Sequence, residues 1–180
     1  MRAFKRRGQT LQAKFSDPEM TILQALAAQL VELVGPLHLP PSPDDWADIL
    51  GDDATSGKQS EDPAIARLFP DAYRDDPSAS QEFRRYTQSD QAGAKARSAD
   101  TVAHDIAAAD DGWVTVEPSH IDDWLTTLTN LRLVLASRLH IEHESDADDL
   151  AGLSPTDPRT PLVAAFEWCG WLLQSILECL

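Results

Sequence analysis

The sequence predicts a mainly α-helical, single-domain bundle carrying a small antiparallel β-sheet, and three observations predict it. Leucines recur at helical spacing at 23, 26, 30 and 33 behind a capping serine. A second apolar stripe runs from Ile121 through Trp124, Leu125, Leu128, Leu131 and Leu135 to Leu139. Strand signals, by contrast, appear in only two short places, at the amino terminus and at Trp113–Glu117. A chain of 180 residues with 42% hydrophobic content can bury one compact core but not two large ones, so residues 1–180 read as one domain.

The elements follow in order. Ala3–Arg7 and Thr10–Phe15 flank Gly8 as a basic β-hairpin over residues 1–15. Ser16 with Glu19 three positions on is a capping-box signature, and the helix it opens runs to Gly35. Pro36–Pro43 reads as a stiff connector, Asp44–Leu50 as a short helix and Gly51–Glu61 as a loop. Asp62 opens a short helix over Pro63–Phe69, and Pro77 starts a long, polar, alanine-rich helix to about Ala109. Gly93 predicts a bend or break within it, because glycine in a helix costs about 1 kcal/mol relative to alanine. Trp113–Glu117 is a third strand and Pro118 opens the core helix. Residues 140–160, acidic with one glycine and two prolines, read as a mobile loop before Thr160 caps a terminal helix over 161–180.

Thirty acidic residues against fifteen basic give a net charge of −15, which argues against nonspecific binding of nucleic acid. The basic residues are unevenly spread, however: Arg2, Lys5, Arg6, Arg7 and Lys14 all precede the first acid, Asp17. They are either a local nucleic-acid contact or a charged hairpin edge that resists aggregation. The amino terminus lacks the apolar stretch of a secretory signal, so a cytoplasmic protein is expected. The terminal helix is the segment most suggestive of a membrane, but Glu167, Gln174 and Glu178 interrupt it and no membrane association is expected.

Catalytic templates are missing: there is no Gly-x-Ser-x-Gly elbow and no phosphate-binding glycine loop, so neither an enzyme nor a cofactor or small-molecule substrate is expected. His140 and His143 lack further ligands at a zinc spacing, and the paired aspartates miss the calcium-loop pattern, so no metal is assigned. Arg84, Gln88, Gln91 and Lys95 form a polar helical stripe, read as a solvated face. Trp171 falls in the polar stripe of the terminal helix and is a candidate interface, covered by a loop or by a second copy in a homodimer.

The only two cysteines, Cys169 and Cys179, lie on that terminal helix, Cys169 on its buried face and Cys179 toward the edge. Ten helical residues separate their Cα atoms by roughly 15 Å, whereas a disulfide spans about 4.4 to 6.8 Å. A bond between them requires the helix to unwind. They are either inert core residues or a switch, and the glycine at 170 and the proximity of the chain end make unwinding cheaper there.

The segment Asp62–Asp76, then Glu82–Thr87 with Lys95, then Trp124–Leu139 and Trp168–Leu177, resembles an actinobacterial family of largely unknown function that includes the oxidative-stress transcriptional regulator AosR. The resemblance covers most of the chain. It implies redox-responsive transcription control through an intrachain disulfide of unusually wide spacing, with Cys169 and Cys179 as the switch. Transcription machinery, such as a stress sigma factor, or promoter DNA is then the expected partner. Cys179, nearer the chain end, would be oxidised first and resolved by Cys169. The competing expectation is a constitutive helical adaptor whose cysteines only pack.

Overall fold

The computed structural model describes residues 2–38 and 60–180. The described residues are 66% helical, with six helices and a three-stranded antiparallel sheet. Strands β1 (Arg2–Arg7) and β2 (Thr10–Lys14) form the expected hairpin, with Gly8 at φ +64° in its turn, and β3 (Trp113–Val116) pairs with β2. The strand order β1-β2-β3 leaves β1 at an edge. Alternation places Leu11, Ala13, Val114 and Val116 on the inner face, all fully buried.

Helix α1 (Asp17–His38) opens at the predicted cap, with the Ser16 amide and hydroxyl both donating to the Glu19 carboxylate, at 2.7 and 2.8 Å. It does not stop at Gly35. Pro36 lies inside the helix, which continues to His38 because Leu33 and Leu37 pack against the core and His38 docks on the long helix α3 (Pro77–Ala107). There the His38 ring and main chain meet Ser89, through an Nδ1 contact of 3.1 Å to its carbonyl and a Ser89 hydroxyl donated at 3.3 Å. The expected connector beyond residue 38, the short helix at 44–50 and the loop up to residue 59 lie outside the described residues.

Helix α2 (Pro63–Leu68) and α3 start as read, with Asp62 and Asp76 accepting from the amides of Ala64 and Ala79. Gly93 does not break α3. A Cβ there would sit 2.5 Å from the His38 ring, so the glycine is the notch into which α1 docks. Several of the residues α3 buries are small, Ala92, Gly93, Ser98 and Ala99, and this lets α1 approach along Leu23, Ala27, Leu30 and Val34.

Helix α4 (Ile121–Arg138) buries Trp124 and Leu128 completely and carries the predicted core stripe. The acidic segment after it is not all loop. Helix α5 (Glu144–Ala151) forms within it, because the Asp146 carboxylate accepts from the amides of Glu142 and His143 at 2.8 Å each and Leu150 is buried. Helix α6 spans Thr160–Leu177, but the Thr160 hydroxyl donates to the Ser154 carbonyl rather than capping the helix. By length and composition, α1 rather than α6 is, among the described residues, the helix apolar enough to cross a membrane, and its Leu23, Ala27, Leu30 and Val34 are buried in the protein.

Candidate functional site

The end of α6 is fastened to the edge strand. Phe4 is the one large apolar residue in an otherwise basic strand, and its ring packs edge-to-face on Trp124 at 5.3 Å and on Phe15 at 6.1 Å. Both of its main-chain groups are met from α6 and the turn after it. The Phe4 amide donates to the buried Ser175 hydroxyl at 3.4 Å, and the Cys179 thiol donates to the Phe4 carbonyl at 3.3 Å. Arg6 Nε then donates to the Cys179 carbonyl at 2.9 Å. The last turn therefore closes an edge that would otherwise expose unpaired backbone, and Cys179 is one of its fastenings.

Cys169 sits in a different setting. It has no exposed surface, and burial pushes its thiol up from 9.0 to about 12, with the Arg132 guanidinium opposing that rise. Sequence proximity offers no cation to either cysteine, but the fold brings Arg132 from α4 beside Cys169 and Arg6 from β1 to the Cys179 carbonyl. Gly170 makes room for the first: a Cβ there would come within 3.2 Å of Arg132 Nε. The guanidinium lies 4.9 Å from the Phe166 ring centroid, and its buried Nε has no hydrogen-bond acceptor. Both thiols are free. As expected from the helical wheel, Cys169 is the more buried of the two.

The five amino-terminal basic residues do not act as one patch. Register puts Arg2 opposite Lys14, Lys5 opposite Gln12 and Arg7 opposite Thr10, so these four cations share the outer face of the sheet. Trp113, opposite Lys14, joins them, with Lys14 Nζ 5.6 Å from its ring and 3.0 Å from Asp111. A shallow depression of about 60 Å³ opens between Arg2, Lys5, Arg7, Gln12 and Trp113. Arg6, opposite the buried Leu11, belongs to the other side and to the α6 contact. Trp113 was visible in the sequence only as part of a strand; its place on the basic face depends on the β2–β3 register.

Other sequence candidates fare differently. Trp171 is 45% exposed within the chain. The polar stripe of α3 is not a solvated face throughout: Arg84 is buried in an ion pair with Asp71, and Lys95 donates to Asn130 Oδ1 at 3.1 Å, its burial pulling the ammonium down from the ordinary lysine range. Among the described residues no three His, Cys, Asp or Glu side chains converge in a metal-ligating group. One buried carboxylate, Asp105, accepts from the Trp124 indole at 2.8 Å and meets His120 Nδ1 at 3.0 Å, tying the core tryptophan to the turn before α4.

No curated protein and no solved structure matches the chain. Residues 1–180 match throughout a family model described as a domain of unknown function, DUF2017, and the chain belongs to that family.

Proposed function

We propose that this chain is a cytoplasmic, redox-responsive regulator of transcription in the oxidative-stress response, akin to AosR. The observation that carries the reading is the Cys179 thiol, half-exposed and hydrogen-bonded to the edge strand of the basic hairpin. A peroxide oxidises the Cys179 thiol to a sulfenic acid with release of water. The Cys169 thiol then attacks that sulfur, the S–S bond forms and a second water leaves. Because Cys169 is sealed and its thiol held near 12, the second step waits until the end of α6 unwinds. The disulfide cannot be accommodated in the folded helix, so closing it strips the cap from Phe4 and alters the presentation of the hairpin. Its target is the transcription machinery, through a stress sigma factor or at promoter DNA, and the outer sheet face bearing Arg2, Lys5, Arg7, Lys14 and Trp113 is the surface offered.

Peroxide titration followed by far-ultraviolet circular dichroism tests the switch: wild type loses helix reversibly with dithiothreitol, and Cys169→Ser and Cys179→Ser do not. Anisotropy with labelled promoter DNA tests direct contact, since binding through the four outer cations falls by about a hundredfold or more between roughly 50 and 200 mM salt. Flat salt dependence with no binding leaves the sigma factor as target.

A constitutive helical adaptor is the second reading. A groove of about 440 Å³ between α1, α4 and α6 favours it, lined by Ile22, Leu26, Leu33, Val134 and Leu162, with Ile22 and Leu162 exposed. An adaptor would keep its binding unchanged in both serine variants under peroxide.

A further inference from the structure

The start of α3 and the turn before it present three large aromatic side chains to solvent. Tyr73 is 51% exposed, Phe83 40% and Tyr86 67%. Together with Glu82 they line an open depression of about 250 Å³. The Tyr73 and Phe83 rings stand 6.2 Å apart at 86° and form two walls of a corner. Tyr86 follows Phe83 by three residues, on the same side of the helix.

This corner is built. The buried Ser80 hydroxyl accepts from the Tyr73 amide at 2.9 Å and donates to the Tyr73 carbonyl at 2.7 Å, clamping its backbone from both sides. The Asp76 amide adds a third bond to the Tyr73 carbonyl at 3.3 Å, and Asp76 itself caps α3. Glu82 is exposed and has no ion-pair partner among the described residues. Tyr86 already attracts a cation, since the Arg85 guanidinium carbon lies 5.6 Å from its ring centroid.

We infer that Tyr73, Glu82, Phe83 and Tyr86 form a binding site for an alkylated ammonium group. Aromatic faces attract a cation within about 6 Å of their centroids, most effectively when the cation is weakly hydrated. A methylated ammonium has few or no N–H donors to satisfy, so π faces and one carboxylate suffice. A guanidinium is best held by a carboxylate that meets it in its plane on two oxygens, and among the described lining residues Glu82 is the one carboxylate. The overall charge of −15 draws cations toward this surface and sets two copies of the chain against each other. The group is carried either by a small quaternary amine or by a methylated lysine side chain. The site is independent of the cysteines.

The test is a titration of the full chain with tetramethylammonium and with a short peptide containing trimethyllysine, followed by aromatic-region NMR. Each is paired with its uncharged tert-butyl isostere. Saturable shifts confined to Tyr73, Phe83 and Tyr86 are expected, with the charged probe bound about tenfold more tightly than its isostere. Tyr86→Ala and Glu82→Gln, both at exposed positions, weaken binding about two- to fivefold, while Arg85→Ala, which removes the cation now beside the Tyr86 ring, does not weaken it. Tighter binding of the peptide than of tetramethylammonium identifies methyllysine as the source, and the reverse identifies a small amine. Equal binding of charged and neutral probes, or shifts elsewhere on the protein, overturns the assignment.

Discussion

Ten residues apart on one terminal segment, Cys169 is closed off in the core near Arg132, whereas Cys179 is half-exposed and donates its thiol to the carbonyl of Phe4. The first thiol is sealed by packing, the second only partly covered by the core and held by a hydrogen bond to a sheet edge. In the proposed switch, oxidation would therefore begin at Cys179 and reach Cys169 second. The element it would disturb first is β1, which carries Arg2, Lys5, Arg6 and Arg7. The contrast also explains how thiols too far apart to bond could still serve one switch, because the fastening lost first is the one that keeps the last turn wound.

Native-state alkylation sharpens the contrast most. With its thiol held near 12 and no exposed surface, Cys169 reacts with iodoacetamide at least about a hundredfold more slowly than Cys179 at pH 8. Comparable rates would mean that α6 opens freely and that the contrast is not real.

Alkaline titration gives the next largest effect. The folded-state value of Cys169 is raised above that of an unfolded thiol, so its contribution is fully present below pH 9 and is lost as pH rises toward about 12. The loss is on the order of 4 kcal/mol at full titration, and Cys169→Ala flattens this part of the alkaline stability curve measured by urea unfolding. Serine substitutions come third. Cys169→Ser places a hydroxyl in the core and lowers stability by about 1–3 kcal/mol, while Cys179→Ser, at a half-exposed position that can still donate to Phe4, changes it by less than about 1 kcal/mol. Ser175→Ala, which leaves the Phe4 amide without its α6 partner, falls between the two serine variants. It costs about 1 kcal/mol, speeds hydrogen exchange at Phe4 and raises the labelling rate of Cys179.

The local signals in the sequence were reliable where one residue does one job. Ser16 with Glu19, Asp62 before Pro63, Asp76 before Pro77 and the alternation at Trp113–Val116 each act within a few residues, and each element forms where it was expected. The errors came where a distant partner decides. Gly93 looks like a break until His38 is set against it, and Pro36 looks like a stop until Leu37 and His38 are docked. Arg84 looks solvent-facing until Asp71 meets it. The helix at Glu144–Ala151 was hidden because its charged composition resembles a loop and, among its described side chains, only Leu150 is buried. At the site, the unequal burial of the cysteines followed from helical phase alone. The contacts of Cys179 with Phe4 and Arg6 span 175 and 173 residues of sequence, and no local pattern encodes them.

The proposed switch depends above all on whether Cys169 and Cys179 bond to each other. Trypsin cleaves after Arg159 and leaves both cysteines on the single peptide Thr160–Leu180. Mass spectrometry of that peptide before and after peroxide, with far-ultraviolet circular dichroism on the same samples, reads bond and helix together. A peptide two hydrogens lighter, with helix lost and then restored by reductant, is the predicted result. Two free thiols, or a disulfide joining two chains with the helix intact, would contradict the switch.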